Sequence, residues 1–272
     1  MQDRCLQARR RGKDSVLDDM VAAMRVKAKG DGTGGRKKGG GTGGRTPRRA
    51  VVVFSGGMDS TCVASMQAAE YDEVYGITFS YGQRAGPELD AARRLARMLR
   101  LKRHRIVDIG FMRGLYGDSN VLTSSKSELP GSFEYSIVVP IRNAVFLSIA
   151  SAWAFSIGAT RVAYGAHTGD AHYPDCRPAF ARRLQAAFNA GEADGIRLGV
   201  RRGIEIWSPY SAGIGKRELV RLGADALGNR IYETWSCYAG RRRQCGRCES
   251  CMNRRRAFAD AGIADKTAYR GS

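Results

Sequence analysis

The sequence contains no long apolar run, and this absence limits where the protein can act. No stretch approaches the roughly 18 apolar residues that a transmembrane helix needs, although 43% of the 272 residues are hydrophobic. The N-terminus is charged but lacks the apolar stretch of a secretory signal. We therefore expect a cytoplasmic protein with no membrane partner and with enough apolar side chains for a buried core.

Cysteine is sparse, and its pattern does not fit a disulfide framework. The chain has seven cysteines, an odd number, and four of them cluster near the C-terminus. Disulfide frameworks typically use an even number, whereas a local cysteine cluster in a reducing compartment is typical of a metal site. The sequence therefore favours a metal-binding protein of a reducing compartment.

Acidic residues are also scarce, which leaves a formal net charge of +19. About half of this excess lies in residues 1–50, and residues 30–45 are almost entirely Gly, Lys, Arg and Thr. Because such a composition cannot bury apolar surface, residues 1–47 are predicted to be a basic, disordered extension. The extension is either dispensable, which we favour, or a tail that contacts RNA or acidic partners.

From residue 48 onward, short apolar strands alternate with helical stretches. Strands are predicted at residues 50–54, 74–79, 105–109, 161–164 and 204–206, and helices at residues 61–70, 87–99, 142–157, 178–190 and 216–227. This alternation predicts βαβ units and an α/β domain with a parallel sheet over residues 48–230. Residues 231–272 form a separate C-terminal segment. Residues 110–139 lack a clear pattern, which is typical of a lid or substrate loop.

The first strand runs into a glycine turn that predicts a phosphate-binding loop. Residues 55–61 read Ser-Gly-Gly-Met-Asp-Ser-Thr. Glycine lets the backbone approach an anion closely, and the first turn of a helix presents unpaired N–H groups. The loop is not a Walker A motif, because no lysine follows the glycines. The candidate nucleotide-binding residues are Phe54, Ser55, Gly56, Gly57, Met58, Asp59, Ser60, Thr61, Cys62, Val63 and Ala64.

Polar residues follow other strands, at the edge where parallel sheets bind ligands. Arg142 and Asn143 open an apolar helix. Lys216 begins another helix, where it either reaches a polyphosphate or is only the start of a surface helix. The polar run at residues 167–177 suits a flat heterocycle, because an aromatic ring can stack on it and Asp175 can accept two hydrogen bonds. The alternative is that these polar side chains only form hydrogen bonds within the loop. The candidate substrate-binding residues are Tyr81, Gln83, Arg84, Asn143, His167, Asp170, Tyr173, Asp175 and Arg177.

The cysteine cluster has the spacing of a metal-binding knuckle. It consists of Cys237, Cys245, Cys248 and Cys251. Four thiolates without histidine suit a closed, structural zinc site, and a [4Fe–4S] cluster is the less favoured alternative. Arginines at positions 241–243, 247 and 254–256 either grip acidic groups or form a solvated face. Cys62 and Cys176 have no evident activating base, so we interpret them as packing residues.

Taken together, these motifs resemble the 7-cyano-7-deazaguanine synthases, a family that splits ATP between the α and β phosphates. The resemblance spans residues 51–269 and rests on residues 54–61, 71–74, 78–84, 173–177 and 234–251 in that order. It implies a Rossmann-like fold of the HUP, or adenine nucleotide alpha hydrolase-like, class, with helices on both faces of a parallel sheet and a C-terminal four-cysteine zinc segment. Ala85 and Ile141 depart from the family, which usually has His and a small residue there, and both bear on fine substrate specificity.

The resemblance also implies a reaction. An enzyme of this family converts 7-carboxy-7-deazaguanine and ammonia to 7-cyano-7-deazaguanine (preQ0), a precursor of queuosine and archaeosine, through an acyl adenylate and an amide. The implied cofactors are ATP, Mg²⁺ and Zn²⁺, and the implied assembly is a homodimer. Asp59 would hold the loop or Mg²⁺, while Arg142 and Lys216 would stabilise charge on the transferred group. The catalytic candidates are Ser55, Asp59, Ser60, Arg142 and Lys216.

Three other functions stay open at this point. A thiolase-like tRNA-modifying enzyme would use the basic extension as an RNA arm, and it would need a cysteine pair near the loop, for which Cys62 and Cys176 are weak candidates. A related deazaguanine ligase would use a different acceptor. A non-enzymatic zinc-ribbon binder of nucleic acid is the least favoured of the three.

Overall fold

The fold is known here from a computed structural model, which describes residues 45–81, 86–117, 132, 134–239 and 242–270. Most of the predicted extension therefore lies outside the described residues, as do the candidate residues Gln83 and Arg84. Ala85 and much of the predicted loop at residues 110–139 lie outside them as well.

Five parallel strands form one sheet in the order β3-β2-β1-β4-β5. The strands are β1 (Arg49–Val53), β2 (Glu73–Ser80), β3 (Arg103–Asp108), β4 (Arg161–Ala163) and β5 (Glu205–Trp207). β1 is central, so that Val52 lies beside Gly76 of β2 and beside Ala163 of β4. The strand order reverses at β1, and open α/β sheets bind ligands at the carboxyl end of such a reversal. The predicted parallel sheet is confirmed.

Helices connect the strands. They are α1 (Met58–Glu70), α2 (Gly86–Met98), α3 (Met112–Tyr116), α4 (Arg142–Ile157), α5 (Pro178–Gly191), α6 (Ala193–Arg197), α7 (Lys216–Leu227) and α8 (Glu249–Ala261). Short 3₁₀ turns cover Tyr135–Ile137, Thr168–Asp170, Pro174–Cys176 and Gly228–Glu233. The sequence pattern predicted α1, α2, α4, α5 and α7 but missed α3, α6 and α8. In α8 the buried face includes Arg254 between Cys251 and Phe258, which hides the apolar periodicity of the helix.

The helices cover both faces of the sheet, as the resemblance implied. Ala50 and Val52 of β1 belong to one core cluster with α1, α2, α7 and α8. Val51, between them, belongs to a second cluster with α4 and α5. Successive strand side chains point to opposite faces, and a strand covered on both faces reads as a continuous apolar run.

The C-terminal segment shares the first of these cores. α8 packs against α7, and the fully buried Phe258 lies in the same cluster as Met66 of α1. The segment also has a small buried cluster of its own around Cys237, Cys248, Cys251 and Tyr269. The boundary at residue 231 stays a prediction.

One described segment, Tyr135–Ile157, is long and apolar enough to cross a membrane by length and composition, with a mean hydropathy of 1.5. The sequence showed no unbroken apolar run here because Arg142, Asn143 and several serines interrupt it. A single segment of this kind is weak support for a membrane span. The contacts of α4 with β1, β4 and α5 account for its apolar composition.

We expect Gly223→Ala to lower the free energy of unfolding by about 1–3 kcal/mol, the usual cost of overpacking a core. Gly223 of α7 faces Cys62 of α1, and a Cβ at this position would overlap with the Cys62 sulfur. Urea denaturation measures the effect. Gly191→Ala is the matched control, since no described atom lies within 4 Å of a Cβ there. Equal stability of the two variants would contradict the close helix contact.

Candidate active site

The turn between β1 and α1 presents backbone N–H groups at the carboxyl end of the sheet. Gly56 has a φ of +79°, in the left-handed region that glycine adopts at little cost. A Cβ on Gly56 would lie 2.5 Å from the backbone nitrogen of Ala92 in α2, so the turn has no room for a side chain. Gly57 begins α1 without a side-chain cap, which leaves the first N–H groups of the described helix available to an anion.

Hydroxyl groups hold this turn in shape. Ser55 Oγ accepts a hydrogen bond from the Gly57 N–H at 3.2 Å and lies 3.1 Å from Ser60 Oγ. Thr61 Oγ1 donates to the Gly57 carbonyl at 2.8 Å. These hydroxyls therefore stabilise the backbone of the loop.

A lysine from α7 reaches the loop. Lys216 Nζ donates to a carboxylate oxygen of Asp59. Burial is the largest single influence and favours the neutral form of Asp59, but the charge and hydrogen bond of Lys216, together with His167 and Arg254, hold the pKa of this carboxyl below its ordinary value. The pair places an ammonium group beside the loop, as expected for a residue that contacts a polyphosphate.

The turn after β4 is held by its own side chains. His167 Nδ1 accepts a hydrogen bond from the backbone N–H of Gly169 at 3.1 Å, while the backbone N–H of His167 donates to Asp170 Oδ2 at 2.9 Å. Burial lowers the pKa of His167 and so favours the neutral ring. Burial also raises the pKa of Asp170. Both side chains serve the turn and line the cavity described below.

The N-terminus of α4 contributes a second polar group. Arg142 Nη1 donates to the Tyr81 hydroxyl at 3.3 Å. The Asn143 N–H donates to Asp175 Oδ2 at 3.0 Å, and the Asn143 amide donates to Cys176 Sγ at 3.3 Å. Asp175 Oδ2 therefore holds the start of α4, while its other oxygen, Oδ1, accepts a long contact from Cys176 Sγ at 3.9 Å.

These parts surround one cavity of about 690 Å³ at the carboxyl end of the sheet. The predicted residues that line it are Phe54, Ser55, Gly57, Met58, Asp59, Ser60, Tyr81, Arg142, Asn143, His167, Asp170, Tyr173, Asp175 and Lys216. Residues of the C-terminal segment close the cavity on another side. The volume lies in the range of small-molecule and cofactor sites.

The four cysteines of the C-terminal segment converge beside this cavity. Their sulfur atoms all lie within 4.8 Å of one another. Backbone N–H groups of Ala239 and Cys245 donate to Cys237 Sγ at 3.3 and 3.2 Å, which favours the thiolate form that binds a metal. The cluster can hold a metal ion with four sulfur ligands.

A comparison with known protein families shows to which family the chain belongs. A family profile described as "Queuosine biosynthesis protein QueC" matches residues 49–262. The chain belongs to the QueC family. The resemblance inferred from the motifs is thereby confirmed.

Individual relatives agree with the QueC match. The 7-cyano-7-deazaguanine synthase of Marinomonas sp. (strain MWYL1) is 38% identical over 227 residues, which cover 81% of this chain and 98% of the relative. That of Hahella chejuensis (strain KCTC 2396) is 40% identical over 228 residues, covering 82% and 94%. A solved structure described as a predicted subunit of tRNA methyltransferase, from Methanocaldococcus jannaschii DSM, covers 65% of this chain and 74% of its own at 18% identity. The TM-score between the two structures is 0.42.

The structure of this QueC chain corrects some predicted site residues. Cys62, Val63 and Ala64 are fully buried in the core and do not line the cavity, so their side chains do not contact a ligand there. Thr61 is also buried, and its role is to hold the loop. Arg177 lies outside the lining because its Nε donates to the Ala171 carbonyl at 2.8 Å.

Cys62 and Cys176 behave as packing residues, as expected. Burial raises the pKa of the Cys62 thiol to about 12 and also raises that of Cys176. The two thiols lie in core clusters on opposite faces of the sheet. Neither forms a nucleophilic thiolate at neutral pH.

Sequence reasoning offered the arginines at positions 254–256 as possible contacts to acidic groups, but it missed the rest of the site that the C-terminal segment supplies. Trp235, Ser236, Tyr238, Glu249, Asn253 and Arg254 all line the cavity. Glu249 is buried and accepts hydrogen bonds from Tyr238 and Asn253. Their position beside the cysteines in the sequence could have indicated this, because residues that flank a metal-binding knuckle fold together with it.

Ile141 marks an unusual backbone position in this QueC chain. It has a φ of +45° at the start of α4, in the left-handed region where a β-branched residue is strained. Its side chain is 65% exposed and does not line the cavity. The small residue that is typical of the family suits this backbone, so Ile141 bears on the turn that carries Arg142 and not on direct ligand contact.

We expect Cys248→Ala to lose bound metal and to lower the free energy of unfolding by more than the roughly 1 kcal/mol typical of point mutants. Removing one of four ligands opens a site whose binding energy contributes to folding. Elemental analysis and urea denaturation measure both effects. Cys176→Ala is the control and should keep its metal. A metal-free Cys248→Ala protein of wild-type stability would refute a structural role.

Proposed function

We propose that this chain converts 7-carboxy-7-deazaguanine, ammonia and ATP to 7-cyano-7-deazaguanine. The observation that carries the proposal is the QueC family membership over residues 49–262, with relatives of that name matched over most of their own length. The cavity supports it, because a phosphate-type loop and a cluster of aromatic and polar side chains line the same space.

The loop would act on the leaving group of the first step. A carboxylate oxygen of the substrate attacks the α-phosphorus of ATP, the bond to the bridging oxygen breaks, and pyrophosphate leaves. The N–H groups at the start of α1 and the ammonium of Lys216 face the place where that negative charge collects. Mg²⁺, held by Asp59 and the phosphates, would offset the charge of the pyrophosphate when bound.

The two later steps would use the same loop. Ammonia attacks the acyl carbon of the adenylate, and AMP leaves to give the amide. The amide oxygen then attacks the α-phosphorus of a second ATP, and pyrophosphate leaves. Loss of AMP and of the two N–H protons from the adenylated amide gives the nitrile. These steps need no enzyme nucleophile, which agrees with the raised pKa values of Cys62 and Cys176. Catalysis would therefore rest on positioning and charge stabilisation.

The opposite end of the cavity would bind the deazaguanine. Tyr173 is positioned to stack on a flat ring, and the second oxygen of Asp175 can accept from an amino group or ring N–H. Arg142, held by Tyr81, would face the carboxylate of the substrate. Glu249 adds a second carboxylate to this wall.

The remaining features of the proposal follow from the family. The four cysteines would hold Zn²⁺ in a closed structural site, since four thiolates leave no open position for water. We further propose a cytoplasmic homodimer without a nucleic-acid partner. A thiolase-like reaction is disfavoured because the two candidate thiols are buried on opposite faces of the sheet.

We expect the purified chain, given 7-carboxy-7-deazaguanine, ammonium, Mg²⁺ and ATP, to release AMP and pyrophosphate. AMP is the expected nucleotide product because both activation steps attack the α-phosphorus of ATP. Mass spectrometry should detect the amide first and then the nitrile. Omitting the deazaguanine acid is the control and should abolish AMP release. Formation of ADP and orthophosphate in place of AMP would contradict the proposal.

We also expect Asp59→Asn to lower turnover by about a hundredfold or more, the usual effect of removing an electrostatic group from such a site. The substitution keeps the shape of the side chain but removes the charge that pairs with Lys216. ATP–pyrophosphate exchange measures the loss, and circular dichroism checks the fold. Asp90→Asn, on the exposed surface of α2 beside Arg93, should leave turnover unchanged. Wild-type exchange by Asp59→Asn would count against the assigned loop.

A further inference from the structure

Arg254 is the most buried charged side chain of the described chain, and the reaction above leaves it without a role. It is 1% exposed. Its guanidinium donates to four neutral oxygens: Thr267 Oγ1 at 2.9 Å, Thr234 Oγ1 at 2.7 Å, Ser236 Oγ at 3.3 Å and the Ile231 carbonyl at 3.2 Å. Among the described residues it forms no ion pair with a carboxylate.

A buried cation without an anionic partner costs free energy that neutral hydrogen bonds only partly offset. An apolar residue at this position on α8 would avoid the cost. Among the described residues, the carboxylates of Asp59 and Asp265 act on this charge without forming an ion pair with it. Burial still outweighs them, since it lowers the pKa of Arg254. Arg254 lines the same cavity as Ser55 and Lys216, where the phosphates of ATP would lie.

The neutral partners of Arg254 connect it directly to the phosphate loop. Three of them belong to residues 231–236, which pass beside the loop. The Trp235 N–H donates to the Gly56 carbonyl at 2.9 Å, and a Cβ on Gly57 would lie 3.4 Å from the Trp235 carbonyl oxygen. Thr234 and Ser236 flank Trp235, so Arg254 holds Trp235 on both sides.

The cysteine cluster anchors both ends of this connection. Arg254 lies one turn after Cys251 on α8, and Trp235 comes two residues before Cys237. The indole N–H of Trp235 also donates to the Cys237 carbonyl at 2.9 Å. A change at the cluster is therefore transmitted to Gly56 through very few bonds.

We infer that Arg254 is a positioning residue for the phosphate loop, which holds residues 234–236 against Gly56 and favours a phosphate group in the loop by its buried positive charge. The inference rests on the proposed function, since it takes ATP as the ligand of the loop. The effect is specific to ATP, because the hydrogen bonds of Arg254 lead to Gly56 and not to the start of α4, where the deazaguanine would bind.

The test compares Arg254→Gln with wild type in the full chain. We expect the KM for ATP to rise about tenfold or more, the effect of losing one charge-assisted contact, while the KM for 7-carboxy-7-deazaguanine stays within about twofold. Metal content should not change. Arg255→Gln is the matched control and should leave both KM values unchanged. The Arg255 side chain follows Arg254 in sequence but is exposed and lies over the Tyr269 ring.

Calorimetric titration with ATP separates this inference from the proposed function. If wild type does not bind ATP, the proposed function fails and the inference fails with it. If wild type binds ATP and Arg254→Gln binds it equally tightly, the inference alone is overturned. Equal rises of both KM values, or loss of metal, would show a purely structural role and would also overturn it. If Arg254→Gln does not fold, Thr234→Val decides, because it keeps the charge but breaks the link: a raised KM for ATP alone supports the inference, and an unchanged KM overturns it.

Discussion

The close backbone approach at Gly56 is the constraint on which the rest of the site depends. Its left-handed conformation turns the chain from β1 into α1, with α2 on one side and the Trp235 N–H on the other. A side chain at this position would displace one of these neighbours. The N–H groups of the loop therefore face the cavity only because three distant segments of the chain meet at a residue that has no Cβ.

Around this point the cavity has two ends of different chemistry. Lys216 and Arg254 surround the loop, and Asp59 keeps Lys216 in place. At the other end, Arg142, Tyr173, Asp175 and Glu249 offer aromatic surface and hydrogen-bonding groups. Charges act more strongly on one another in a partly buried space than in water. Under the proposed function, the phosphates of ATP would lie at the first end and the ring of the deazaguanine at the second.

Local signals predicted much of this arrangement. β1 and the glycine turn were recognised because a buried strand, two glycines and a helix start follow one another directly in the chain. The cysteine cluster was recognised by its spacing. α8 was missed because Arg254 occupies a buried position that a hydrophobic residue normally marks. Cys62 was assigned to the nucleotide site because it follows the loop in sequence, but the helix turns its side chain into the core.

The sequence by itself determined the family, the parallel sheet and the position of the glycine turn after β1, because these depend on residues that are neighbours in the chain. Only the tertiary structure decided which side chains share the cavity. Lys216 meets Asp59 across 157 positions, and Arg254 reaches residues 231–236 from another helix. Arg177 is drawn away by a carbonyl in its own turn. The reason is physical: the direction of a side chain depends on packing between elements, and no local pattern records that packing.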